Sequence, residues 1–148
     1  MANNIAVKDA SGTSRTVKTT DNSDVHTPHH IVDAPGTTWT YAAAASGIAN
    51  TTTAVTFKAA HATLRNYVSW VDIWSEALTT ATEVAIRDGA AGTVLWRTKI
   101  ATGGLLGGRY MRFDPPLQGT AATLLEVLTI TASGAGAVYF NAGGYVAA

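Results

Sequence analysis

After residue 36, apolar and polar positions alternate with a period of two along most of the chain, and that period belongs to strands. Leu64 to Arg97 shows it most plainly. From Tyr67 to Trp74 the alternation places Tyr67, Val71 and Ile73 on one face and Val68, Trp70 and Trp74 on the other, so both faces are expected to meet protein. Glu83 to Arg87 alternates again, with Val84 and Ile86 inward and Glu83 and Arg87 outward. Asp88-Gly89-Ala90-Ala91-Gly92 interrupts the pattern with turn chemistry, because glycine takes a positive φ without steric cost. Val94 and Trp96 resume it, and the whole reads as a β-hairpin with a five-residue loop.

The same reading extends in both directions. Thr38 to Ala44 and Thr53 to Ala59 are candidate strands; the alanine run Ala42–Ala45 has helix propensity, but the neighbouring Thr, Trp and Tyr favour strand. Thr93 to Ile100 precedes a glycine-rich loop, Gly103 to Gly108, expected to be a flexible surface loop that orders on contact. Arg109 to Phe113 is expected to end at Pro115-Pro116, where two backbone donors are missing. Leu124 to Thr131 and Ala137 to Tyr145 complete the set. The fold class is therefore all-β: an eight-stranded antiparallel β-sandwich over residues 37–148, jelly-roll-like, since the jelly roll is the common eight-stranded two-sheet form. The order of strands in the sheets is not in the pattern. Residues 1–36 differ: they are rich in Thr, Ser, Asn, Asp and Lys, and Ile5, Val7 and Val17 are too thinly spaced to define a core face. They read as an extended N-terminal arm that gains order against a partner, with VKDASGTSRTVKTT able to form a short exposed hairpin.

Composition sharpens this. The 148 residues suffice for one domain with an appendage. Only 14% are charged while 47% are hydrophobic, which suits a chain that buries surface against partners. Together with the glycine-rich loops and four tryptophans, it points to a homo-oligomer, a trimer preferred and a dimer next. Ten basic residues balance ten acidic ones, so no footprint for nucleic acid or an anionic membrane is present. Cysteine is absent, which removes disulfides and thiol nucleophiles. No apolar run reaches the roughly 20 residues of a membrane-spanning helix. The first residues, MANNIAVKDASG, lack the basic-then-apolar pattern of a secretory signal, which implies synthesis in the cytosol of the producing cell.

Candidate chemistry is sparse. His26, His29 and His30, with Asp24 or Asp33, are the densest ligand set, but a closed metal site needs four ligands in fixed geometry, and hydrogen-bonding or interface roles suit a polar, proline-containing segment better. One version of a metal site stands: a three-fold axis that gathers one histidine from each of three copies. No metal or other cofactor is therefore expected. His61 stands alone, Ser69 and Ser75 flank a strand without a nucleophile elbow, and no acid, base and nucleophile converge, so no catalytic residue is assigned. Asp72 lies between Trp70 and Trp74 on one face and is expected to pair with Arg65, Arg87 or Arg97, or to face an interface. Gly103 to Gly108 is no phosphate loop, having neither the Lys-Ser/Thr nor the helix that must follow. Trp39, Trp70, Trp74 and Trp96 are expected to be core and contact anchors rather than a platform for sugar rings, with at least one of Trp70 and Trp74 buried.

The runs TEVAIRDGAAGTVLWRTKIA and FDPPLQGTAATLLEVLTITASGAGAVYFNAGGY, with the arm segment VKTTDNSDVHTPHHIVD, resemble small β-sandwich virion proteins of tailed bacteriophages. The resemblance covers about the last 85 residues and that arm segment, and it is one of strand-and-turn pattern, carrying no catalytic motif. It implies a head decoration, or cement, protein on the virion surface, with the major capsid protein and other copies of itself as partners. Partner contacts are then expected from Val7, Val17, His26, His29, His30, Ile31 and Val32 of the arm and from Trp70 and Trp74 of the sandwich. The alternative is a tail- or fibre-associated module that binds host glycan.

Overall fold

The computed structural model describes residues 4–8, 14–22, 25–28, 37–44, 47–48 and 52–148, the first three stretches by their backbone alone. The chain divides into two compact units, Met1–Ala34 and Pro35–Ala148. Among the described residues there is no helix.

The first unit holds β1 (Asn4–Lys8), β2 (Ser14–Asn22) and β3 (Val25–Pro28) in one antiparallel sheet of that order. The short hairpin allowed by VKDASGTSRTVKTT is β1–β2, with Ile5 opposite Val17, and β3 adds a further strand with His26 opposite Asp21. Threonine and valine supply the β-branched side chains that suit a pleated surface.

The second unit carries eight strands: β4 (Thr38–Tyr41), β5 (Val55–Lys58), β6 (Arg65–Ser75), β7 (Thr82–Asp88), β8 (Thr93–Ile100), β9 (Arg109–Gln118), β10 (Leu125–Thr129) and β11 (Val138–Ala147). They form two four-stranded sheets, β5-β10-β7-β8 and β4-β11-β6-β9. The pairings have one simple source. The β7–β8 hairpin folds the chain in half, after which β6 meets β9, β5 meets β10 and β4 meets β11, all antiparallel. Rolling that long ribbon adds the contacts β11–β6 and β10–β7. This is the jelly-roll topology.

The core lies between the sheets. Val68, Val71 and Ile73 of β6, Val84 and Ile86 of β7, Leu125 and Val127 of β10, and Val138 and Phe140 of β11 are fully buried there. At one end Trp39 and Tyr41 close on Phe57, which meets Phe140 edge-on at 5.1 Å between centroids. Trp96 meets Phe113 edge-on at 5.9 Å. Trp39 and Trp96 are thus core anchors, and such edge-to-face pairs add about 0.5–1.5 kcal/mol each beyond burial.

Three expectations are corrected. The faces of β6 do not follow a single alternation. Gly143 and Gly144 of β11 sit opposite Trp70 and Val68, so Ser69 is an extra residue, a β-bulge. The bulge puts Asn66, Val68, Val71, Ile73 and Ser75 inward and leaves Tyr67, Trp70, Asp72 and Trp74 outward; neither Trp70 nor Trp74 is buried. Second, β9 does not stop before Pro115-Pro116 but runs through to Gln118. It is an edge strand, where a proline's missing donor costs no ladder hydrogen bond. Third, the Gly103–Gly108 loop is tied down. Leu105 N–H donates to Ser75 Oγ at 2.8 Å, Ser75 N–H to the Leu105 carbonyl at 3.2 Å, and Gly103 N–H to the Leu78 carbonyl at 2.9 Å.

Candidate functional site

The two outer faces of the sandwich differ in chemistry. On the β5-β10-β7-β8 side two charge pairs are made within the chain: Arg87 pairs with Glu126 at 3.0 Å and Arg97 with Glu83 at 3.5 Å. Glu126 also accepts the Ala91 N–H. A face of that kind is at ease in water.

The β4-β11-β6-β9 side is aromatic. Trp74 stacks on Tyr139 with centroids 4.0 Å apart and planes 7° from parallel. Tyr67 stacks on Tyr145 at 4.8 Å and 9°, and Trp70 on Tyr110 at 6.0 Å and 27°. Strand register explains each pair. Tyr139 is directly opposite Trp74 and Tyr145 directly opposite Tyr67 across the β6–β11 ladder. Tyr110 is opposite Asp72 across β6–β9, one diagonal step from Trp70, still within reach of large rings. The indole of Trp70 overhangs Gly143 so closely that a Cβ there would sit 2.4 Å from its Nε1.

The solvent-exposed end of this face is apolar. Trp74 is 39% exposed, Tyr110 65%, and Leu106, in the tethered loop beside them, 75%. Gly108 of that loop lies against Trp74, a Cβ on it falling 3.6 Å from the Trp74 Cβ. The polar groups interleaved with the rings are Asp72, Arg112 and Asn141, whose Oδ1 accepts the Ala43 N–H. Gln118 donates to the Tyr67 hydroxyl at 3.1 Å, and that hydroxyl donates to the Ala148 carbonyl. At the far end the Tyr139 hydroxyl donates to Glu76 Oε1 at 3.3 Å, while Glu76 Oε2 accepts the Ala137 N–H. Desolvation, then the Glu76 charge and its hydrogen bond, raise the Tyr139 phenol above its ordinary value of 10.0.

The sequence-derived candidates distribute unevenly. Trp70 and Trp74 both lie on this face. Asp72 lies between them as expected, but without the expected partner: Arg87 and Arg97 pair elsewhere, and Arg65 donates to the Gly119 carbonyl. Val7, Val17 and His26 lie on β1, β2 and β3, where only the backbone is described, and His29, His30, Ile31 and Val32 lie outside the described residues. Among the described residues no three His, Cys, Asp or Glu side chains gather as metal ligands. His61 Nδ1 accepts the N–H groups of Thr63 and Leu64, a local turn, and Ser75 is buried with its hydroxyl on Leu105. Sequence reading passed over Tyr110, Tyr139, Tyr145 and Leu106. Tyr139, Asn141, Gly143 and Tyr145 do share one parity on the last strand, and that was the available signal.

The strand pairing makes this an eight-stranded jelly-roll protein with an aromatic outer face. No family model matches the chain, and no curated protein does. Two solved structures of infectious bursal disease virus do match. The Gx strain structure is 13% identical, with 87% of this chain and 37% of that chain covered at a TM-score of 0.32. The Gt strain structure is 15% identical, with 88% and 38% covered at a TM-score of 0.29. The chain therefore spans less than two-fifths of the length of these two. The jelly-roll assignment rests on the strand pairing, not on these superpositions.

Proposed function

We propose that this chain is a non-enzymatic virion protein of a tailed bacteriophage that decorates the head, binding the major capsid protein and stabilising the coat lattice. One observation carries the reading: an aromatic, half-exposed face laid across three strands of one sheet, β6, β9 and β11, on a domain where Ser75, Ser133 and His61 serve structural hydrogen bonds. Jelly rolls serve both capsid and lectin roles, so topology alone does not choose. The face favours protein as its partner. In a sugar platform the flat of a ring lies open to the pyranose, whereas here Trp74 and Tyr139, and Tyr67 and Tyr145, turn ring faces on each other. Tryptophan and tyrosine at a tight contact are the residues that carry most binding energy between proteins. The phage and head assignment comes from the resemblance in the strand-and-turn runs and the arm segment. The zero net charge further suits attachment by apolar burial rather than by salt-sensitive steering.

The test is to mix the purified full chain with capsids that lack it, expanded and unexpanded, and pellet them. Saturable binding to expanded shells that persists well above physiological salt is expected. Equal recovery with and without capsids, alongside retention on a glycan array, would move the assignment to a tail- or fibre-associated glycan-binding module.

A further inference from the structure

Four residues at the centre of the aromatic face form a square on two neighbouring strands. Trp70 and Asp72 are its corners on β6, and Arg112 and Tyr110 face them across the ladder on β9. One diagonal is aromatic, the Trp70–Tyr110 stack. The other joins an acid, Asp72, to a base, Arg112. Among the described residues neither of these charged groups has a hydrogen bond or an ion pair, although both ion pairs on the opposite sheet are made within the chain. An unmatched acid and an unmatched base on one apolar face are complementary to each other's positions in a second copy.

We propose that this face is a self-association surface, on which a second copy of the chain docks about a two-fold axis. An axis lying in the interface along the Trp70–Tyr110 diagonal exchanges the two corners of the other diagonal. It sets Asp72 of each copy over Arg112 of the other, twice, and brings each aromatic corner over its own counterpart. That reciprocity is what an isologous contact requires. The extent also fits. Three strands of about ten residues and the short β4, at about 4.8 Å spacing and about 3.3 Å per residue, span roughly 550 Å² in projection before side-chain relief is counted. A stable interface needs about 800 Å² per partner. Trp74, Tyr110 and Leu106 supply its apolar part, and the two charge pairs fix its register. A two-fold pair, rather than the trimer preferred from composition, is the arrangement that this face suits.

The inference rests on reading the face as protein-binding, and its test separates from that of head attachment because it needs no capsid. Sedimentation of the full chain over a dilution series is expected to show a reversible dimer. Asp72→Arg makes the square wholly basic and Arg112→Asp makes it wholly acidic. Each variant alone is expected to self-associate about tenfold or more weakly, because like charges then oppose one another. Mixed together, the two are expected to recover a heterodimer, since both cross-contacts become attractive again. Leu106→Asp, at an exposed loop position, is expected to weaken the dimer without changing the melting curve of protein dilute enough to be monomeric, since dimerisation itself adds stability by mass action. A wild-type chain that stays monomeric at every concentration would overturn the proposal. So would a dimer or trimer indifferent to both reversals, which would place self-association on another surface. A monomer that binds capsids or glycan through Trp74 and Leu106 would overturn it too, and would give the face to that partner.

Discussion

The indole of Trp74 and the phenol ring of Tyr139, 65 positions apart in sequence, lie 4.0 Å apart and 7° from parallel, and the Tyr139 hydroxyl is anchored on Glu76. Cross-strand register creates this pair: β11 delivers Tyr139 directly opposite Trp74. Stacking holds the ring and the glutamate holds its hydroxyl, so the last exposed step of the face is kept rigid before any partner arrives.

The first prediction follows from the phenol. Desolvation and then Glu76 hold its pKa above 10.0, so the fold favours the neutral form. The corresponding stabilisation is complete below the unfolded value and is lost as pH rises through the folded one. An ultraviolet titration, with Tyr139→Phe subtracted to isolate the signal, is expected to show Tyr139 ionising above the ordinary tyrosine range. Glu76→Gln is expected to bring it down by removing the charge and weakening the hydrogen bond. A Tyr139 that titrates unchanged in Glu76→Gln would remove the glutamate from the account.

A second prediction concerns Gly143, which is inside β11 and has no need of a positive φ. It is glycine because Trp70 lies on it: an added Cβ would fall 2.4, 2.5 and 2.6 Å from the indole Nε1, Cε2 and Cζ2. Gly143→Ala is therefore expected to push the indole off the strand and break its stack on Tyr110. Overpacking of this kind costs about 1–3 kcal/mol. Chemical denaturation gives the loss, and a shift in tryptophan emission marks the displaced ring. An unchanged melt and spectrum would mean that the indole is free to move aside.

Much of this architecture was legible in local pattern. Alternation located all eight sandwich strands, and Asp88 to Gly92 announced the hairpin on which the ribbon folds in half. On β6 the reading failed because of one residue. Ser69 adds a step to β6, so every side chain before it sits on the opposite face from the one that simple alternation assigns, and Tyr67 and Val68 changed places as a result. Pro115-Pro116 misled for a different reason: proline ends a central strand but not an edge strand, and edge position is a property of the sheet. The aromatic face was only half visible. Trp70 and Trp74 were apparent on β6, but their partners Tyr110 and Tyr139 come from strands whose register is set by tertiary pairing. The unmatched state of Asp72 was likewise invisible, because it depends on where Arg87 and Arg97 find their own carboxylates.

The bulge can be tested directly. Removing Ser69 leaves Asn66, Val68, Val71, Ile73 and Ser75 in strict alternation, all still inward, and leaves Gly143 and Gly144 opposite Trp70 and Val68 without interruption. That deletion is expected to fold, at a cost of no more than about 2 kcal/mol. Removing Val71 instead would throw the following residues onto the wrong faces, since a one-residue shift inverts a strand. It is expected to abolish the cooperative transition. Circular dichroism melts of the two deletions distinguish these outcomes. Equal damage from both would mean that the extra residue is itself required for closure of the sheet.

The last prediction places the boundary between the two units. Among the residues whose side chains are described, the buried hydrophobic core runs from Ile48 to Val146, within the second unit, which begins at Pro35. The first bond among its described residues is close to that point: Val146 N–H donates to the Thr37 carbonyl at 3.1 Å, just ahead of β4. β4 then closes one edge of the aromatic sheet and carries Trp39 and Tyr41 onto Phe57. A chain that starts at Pro35 keeps all of this and is expected to melt cooperatively at nearly the full-length temperature. A chain that starts at Tyr41 loses the Thr37 bond, most of β4 and the Trp39 ring. Trp39 is partly buried against the core, so losing it costs up to the roughly 3–5 kcal/mol of a fully buried aromatic, and the Thr37 bond and β4 go with it, a sizeable share of the 5–15 kcal/mol typical of a domain. That shorter chain is expected to be partly unfolded at room temperature, and a calorimetric scan of both truncations reads the difference. Loss of the transition in the Pro35 truncation would show that residues 1–34 contribute to the core, and the division at Pro35 would have to be withdrawn.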